Sequence, residues 1–485
     1  MLKAAAVFSD HMVLQRERPI AVFGWADETV AVSLAGAKIA AEPVDGRFEA
    51  FLPPLPAGGP YDLILQSGGE EIAFSDVMIG EVWRCGGQSN MELRLREARD
   101  GQKEAESGSD PLLRFYEVPA AARREEAEDR ERFTCWKALT PGQCGDVSAV
   151  AYFAGRRLRA ALGVPVGMLV CCVGGTQISN WISREALTTF PEGQSCLQDF
   201  EKEIDGISDE QFERATAVYD ARVAAYCAEG EKLRQANPDI RVQEITARLG
   251  DYPWPPPSGR WMLRRPGGLW ENMAERITPF SARGLMWYQG ESDSGIADRY
   301  EKLFARMIRE WRAAFRNDGL FVAAAQLPGF GADPGLEDWA AIRMAQERVC
   351  DKIPGCALAC LLDSGEHDNI HPVDKRTPGN RLADLALRGA YGLPINCGMP
   401  RLTGAHWADG RAELRFSAPL RPLNSSLRSL LIDGKPAEGA ETSGDRLILR
   451  ADKPCLIAYA QENDPDACLF GLDGTPVFPF SVRAK

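Results

Sequence analysis

Apolar positions follow two different rhythms along this chain. Up to about residue 78 they come in short runs, at 20–25, 30–34, 48–52 and 61–65, separated by turn signals such as Asp45-Gly46 and Gly58-Gly59-Pro60. Short runs punctuated this way predict a small all-β domain over 1–78. From 79 onward strands alternate with helices. The segment 77–83 is strand-like, 90–99 reads as helical, and Asp146 is placed to cap a helix carrying Val147, Val150, Ala154, Leu158 and Leu162 on one face. Apolar strands are predicted at 167–173, 285–288, 320–327 and 356–362, with helices over 339–349 and 374–388. Tyr300, Leu303, Phe304, Met307, Ile308, Trp311 and Phe315 keep the i, i+3, i+4, i+7 spacing of an amphipathic helix. Such alternation implies an α/β domain over 79–398 with a mostly parallel sheet covered by helices on both faces. Residues 192–260 break the pattern with charged helices that end in Tyr252-Pro253-Trp254-Pro255-Pro256-Pro257. A proline run is a stiff, extended segment, and it reads either as a connector or as a wall facing the substrate. Residues 399–485 return to short β-like runs.

Composition narrows the function. Of 485 residues, 45% are apolar and 26% charged, which is ordinary for a globular protein of more than one domain. A net charge of −13 argues against nucleic acid and anionic lipid as partners. No apolar run approaches the ~20 residues needed to span a bilayer, and the N-terminal stretch lacks the core and cleavage site of a signal peptide. Thirteen cysteines, several inside apolar runs (Cys171, Cys172, Cys360), fit buried thiols better than a disulfide framework. The expected compartment is therefore the cytoplasm. Composition says nothing of the oligomeric state.

Four polar motifs sit at the ends of strand-like runs. In Gly86-Gly87-Gln88-Ser89-Asn90-Met91-Glu92 a serine stands between a strand and a helix, where open α/β sheets bind ligands and where its backbone N–H can face an oxyanion. Ser89 and Glu92 also match a plain capping box. Gly174-Gly175-Thr176 lets the backbone approach a ligand closely. Trp287-Tyr288-Gln289-Gly290-Glu291 offers a side-chain amide. Asp368-Asn369-Ile370-His371-Pro372 places an Asp three residues before a His, within reach of its imidazole. The chain has four histidines; His11 and His406 fall in β-like segments and His367 adjoins Asp368, which leaves His371 as the candidate base. No clustered His/Cys pair has metal-ligand spacing, and no Gly-rich loop with a lysine is present. One sheet edge can bring the four motifs together.

At these residues the sequence resembles the sialate O-acetylesterase family of the SGNH-hydrolase superfamily. The resemblance lies in Phe8 to Arg16, in Val82 to Met91, in Gly174 to Trp181, in Trp287 to Ser292, in Asp368 to Ala383, and in the closing Gly471 to Phe480. It leaves 192–260 unmatched, and Asp293 and Thr377-Pro378 depart from the family pattern. It implies a three-layer α/β/α domain with N-terminal and C-terminal β-sandwich-like additions, and cofactor-free hydrolysis of acetyl esters on sialic acid or a related carbohydrate. The implied mechanism has Ser89 as nucleophile, His371 as base and Asp368 orienting it. The oxyanion is held by the N–H of Ser89, an N–H of Gly174 or Gly175, and the Gln289 amide. Asn90 and Glu291 support the site, and Trp181 either stacks on a sugar or belongs to the core. Two rivals stand beside this reading: an acetylesterase of plant polysaccharide, and a carbohydrate-binding relative that has lost turnover.

Overall fold

One strand organises the molecule. The structure, a computed structural model, describes residues 1–142, 144–237, 240–332, 338–397, 399–423 and 427–485. Within it Glu70–Gly87 is a single 18-residue strand. Its first half alternates exposed and half-buried positions, and it pairs antiparallel with Gly58–Ser67. Its second half is buried throughout and lies between two parallel partners, Val166–Cys172 and Gly284–Tyr288. The sequence shows the second regime plainly: Val77 to Gly87 is apolar apart from Glu81 and Arg84, whereas Glu70 to Asp76 carries polar pairs on either side of Ile72-Ala73-Phe74. The boundary expected near residue 78 thus falls inside an unbroken strand.

The protein is a mixed α/β molecule. The path through its main sheet runs Lys137–Leu139, Asp110–Glu117, Val166–Cys172, Glu70–Gly87, Gly284–Tyr288, Phe321–Ala325 and Cys356–Ala359. All neighbours on this path are parallel except Lys137–Leu139, which is antiparallel to Asp110–Glu117. From the central strand the chain first places Asp110–Glu117 and Lys137–Leu139 away on one side, comes back to set Val166–Cys172 beside the central strand, then crosses over to extend the sheet on the other side. The C-terminal end of Glu70–Gly87 therefore lies at the point where the winding reverses, where ligands collect in open α/β sheets. Helix Ala149–Leu162 packs with Arg376–Tyr391, and Ala297–Ala314 packs with Trp339–Lys352. The amphipathic stripe expected from Tyr300 to Trp311 is the buried face of Ala297–Ala314.

Two expected elements differ. The helix predicted over 90–99 is only Ser89–Glu92 followed by a short turn of 3-10 helix at Leu95–Glu97. The cap expected at Asp146 is supplied by Ser148, whose hydroxyl accepts from Ala151 N at 3.2 Å. Residues 399–485 form two four-stranded antiparallel sheets. This C-terminal region is tied to the α/β part by the buried Arg343, which donates to the carbonyls of Glu462 and, at 3.1 Å, Asn463.

Candidate active site

The nucleophile motif is shaped by the end of the central strand. Gly87 has φ +137, and a Cβ there would lie 2.0 Å from Tyr288 O, so only glycine lets the two strands close together at this point. Gln88 N then donates to Tyr288 O at 3.0 Å, and Met91 N and Glu92 N close the first helical turn onto Gln88 O. Ser89 is the first residue of this turn and is half-buried. Its backbone N–H precedes the first helical bond and is not consumed by the turn.

His371 Nε2 lies 2.8 Å from Ser89 Oγ. A neutral imidazole accepts the serine hydroxyl in this geometry, as a general base requires. Burial, followed by the nearby Lys375 ammonium, pushes the His371 imidazole down to about 4, so the neutral form prevails near neutral pH. His367 does not compete: it is exposed and its Nδ1 pairs with Asp464 at 2.6 Å. His11 likewise pairs with Asp76 at 2.7 Å.

Asp368 does not take the role expected of it. It is exposed, and His371 forms no ion pair with any carboxylate among the described residues. The reason is local. Asn369, not Asp368, folds back onto the loop, its Oδ1 accepting from His371 N at 3.0 Å and its Nδ2 donating to Glu366 at 2.9 Å. Glu366 also accepts from Val373 N at 2.9 Å. This turn aims the Asp368 side chain at solvent. The Asx turn that Asn369 makes two residues before His371 was the signal available in the sequence.

A buried polar chain underlies the two reacting groups. Asn90 Nδ2 donates to Glu291 Oε1 at 2.6 Å and to Ile370 O at 3.0 Å, and Asn90 Oδ1 accepts from Lys375 Nζ at 2.5 Å. Asn90 thereby links the residue after the nucleophile to the residue before the base. Burial depresses Lys375 to about 7 and raises the Glu291 carboxyl above its ordinary value. Asn90 and Glu291, expected beside the site, are bonded to each other in this chain. Lys375, Glu366 and Asn369 are additions that the sequence reading lacked.

The oxyanion set is revised in two places. Gly174 packs against Ser89, a Cβ built on it lying 3.3 Å from Ser89 Cβ, but its N–H already donates to Glu92 Oε2 at 2.7 Å. Glu92 is thus spent on the glycine loop rather than on a capping box, and Gly175 N–H is the loop donor that remains. Gln289 is fully buried, and its amide is committed. Nε2 donates to Thr176 O at 2.9 Å and to Asp293, and Oε1 accepts from Tyr300 at 3.2 Å. An amide has two N–H groups, so none is left for an oxyanion. Gln289 instead ties its strand end to the glycine loop, together with Asp293, which accepts from Ile178 N at 3.0 Å and which burial raises to about 7. Trp181 is a core residue: it is fully buried, edge-on to Trp287 at 5.8 Å, and donates to Thr176 Oγ1 at 3.2 Å. It cannot stack on a sugar. Among the described residues no group of three His, Cys, Asp or Glu side chains could hold a metal.

Comparison with known proteins points to carbohydrate esterases. The family model described as "Carbohydrate esterase, sialic acid-specific acetylesterase" matches residues 258–388. The mouse sialate O-acetylesterase is 26% identical over 429 residues, covering 80% of this chain and 73% of its own. The human sialate O-acetylesterase is 25% identical over 430 residues, covering 80% and 71%. The crystal structure of a carbohydrate acetylesterase from Xanthomonas citri superposes with a TM-score of 0.76 at 28% identity over 99% of both chains. The chain is a carboxylic ester hydrolase acting on carbohydrate esters. Within that class the proteins it resembles over most of their length are sialate O-acetylesterases.

Proposed function

We propose that this enzyme removes O-acetyl groups from sialic acid or a closely related carbohydrate through an acetyl-enzyme on Ser89. The observation that carries the reading is the 2.8 Å contact between Ser89 Oγ and a half-buried imidazole held in its neutral form. Ser89 Oγ attacks the acetyl carbonyl carbon while its proton passes to His371 Nε2. The negative oxygen that forms is met by the N–H groups of Ser89 and Gly175. The C–O bond to the sugar breaks, and the sugar oxygen takes the proton from His371. Water then attacks the acetyl-enzyme with His371 again as base, and acetate leaves. The names of the mouse and human relatives support sialic acid as the sugar.

The architecture that goes with this reading is the three-layer SGNH-hydrolase domain over 79–398, with β-sandwich-like additions over 1–78 and 399–485. A cytoplasmic location is part of the same proposal and rests on the cysteine usage; cell fractionation tests it. Ser89→Ala should abolish acetate release from O-acetylated sialic acid while leaving the circular dichroism spectrum unchanged. A variant that still turns over would remove Ser89 as nucleophile. Wild-type enzyme that releases acetate from acetylated xylan and not from acetylated sialic acid would overturn the choice of sugar.

A further inference from the structure

Ser89, His371 and the glycine loop form the floor of the site, and one wall comes from the insertion that the family resemblance leaves unmatched. Trp254 stands against Gly175: that glycine has φ +66, and a Cβ on it would lie 2.2 Å from the indole Cη2. The indole is therefore one residue along from the glycine that packs on Ser89, yet it is 56% exposed. It is also held in place. The Arg264 guanidinium lies over it, 5.1 Å from the ring centroid, and Arg264 Nε donates to Gly174 O at 2.8 Å. Among the described residues no carboxylate forms an ion pair with Arg264, and its hydrogen bond to the protein is made through Nε, not through the terminal NH2 groups. Glu92, bonded to Gly174 N, offsets part of this charge. Arg264 also lines a cleft of about 600 Å³ together with Tyr219 and Trp261.

We propose that Trp254 and Arg264 form a subsite for a carboxylate-bearing sugar beside Ser89, the indole stacking on the ring and the guanidinium taking the carboxylate. An anchored, solvent-facing indole offers a flat apolar face to a sugar ring. A guanidinium held through Nε presents in its terminal nitrogens the planar fork that matches a carboxylate. A chain of net charge −13 repels an acidic sugar at long range, so recognition of one needs a local cation at the site. The proposal rests on the reading above only in taking a sugar as the ligand.

The test measures binding without requiring sugar deacetylation. Hydrolysis of 4-nitrophenyl acetate is followed while N-acetylneuraminic acid, or the neutral sugar N-acetylglucosamine, is added as inhibitor. Wild-type enzyme should be inhibited competitively and more strongly by the acid. Arg264→Gln should raise the inhibition constant of the acid at least tenfold and abolish the preference over the neutral sugar. Trp254→Ala should weaken both inhibitors. No inhibition of the wild type by the acid, or equal constants in wild type and Arg264→Gln, would overturn the subsite. Should these shifts occur while acetylated sialic acid releases no acetate, the subsite stands and the deacetylation reading falls.

Discussion

His371 combines a contact to the nucleophile with a strongly depressed affinity for protons, and both have consequences that can be measured. His371→Ala should remove acetate release, whereas His367→Ala, which loses only an exposed pair with Asp464, should keep most of it. Asp368→Asn should behave like His367→Ala, within about threefold of wild type, because its carboxylate points to solvent. A loss of a hundredfold or more for Asp368→Asn would mean that this side chain swings onto the imidazole during turnover. The pH profile supplies a second measurement. Because His371 titrates at about 4, the acid limb of kcat/KM should fall near that value rather than in the usual histidine range. Lys375, at about 7, is still charged where His371 titrates, and its charge opposes the imidazolium. Lys375→Met should therefore raise the His371 value and move the acid limb to higher pH. An unmoved limb would leave burial as the sole cause.

Strand ends and the loops between them do the assembling. Gln289 and Asp293 connect the end of Gly284–Tyr288 to Thr176 and Ile178, so the glycine loop is located by side chains from a neighbouring strand. Gln289→Ala would take one hydrogen-bond partner each from Thr176 O, Asp293 and the Tyr300 hydroxyl in a buried site. It should cost about 2–4 kcal/mol of stability, read as a lowered Tm, and lower kcat as the loop drifts. Lost kcat with unchanged Tm would instead restore Gln289 to the reacting atoms. This residue also marks the limit of what could be read from sequence. The alternation of strands and helices, the helix over 300–315 and the placing of four motifs at strand ends all follow from periodicity and from glycine and proline placement. How an amide divides its two N–H groups does not, because one of them goes to Thr176 O, remote in sequence. The same holds for Asp368 and Asn369: adjacent in sequence and alike in size, they exchange roles through one turn. Trp254 was visible as part of a proline run, but its position over Gly175 depends on the path of the whole insertion.

The N-terminal β region and the α/β part are held to each other by a buried carboxylate. Glu81, within the central strand, accepts from Gln15 at 3.0 Å, Arg16 at 2.5 Å, Arg283 at 3.0 Å and Tyr391 at 2.8 Å. Burial by itself would raise its carboxyl, but the hydrogen bonds and charges of Arg283 and Arg16 outweigh burial and hold it below its ordinary 4.5. A carboxylate with a lowered folded value stabilises the fold fully above about pH 4.5, and that contribution is lost as pH falls through the folded value. Glu81→Gln should cost about 3–5 kcal/mol at neutral pH by leaving Arg16 and Arg283 without their buried counter-charge, only the exposed Glu17 remaining to them. It should also flatten the acid side of a plot of stability against pH. A variant as stable as wild type would show that water replaces the lost carboxylate.

The 18-residue strand Glu70–Gly87 bears on how such a protein can be rebuilt. A chimera joined near residue 78 would splice the strand in mid-run, and its two halves would have to agree in register before the nucleophile could be delivered to the sheet edge. A one-residue slip would turn every side chain of the second half to the opposite face. The first 78 residues are therefore not a cassette to be exchanged at will between esterases. A graft that keeps Ser89 in place must carry Val13–Gln15 and Gly58–Ser67, the partners that fix the strand's register, along with it.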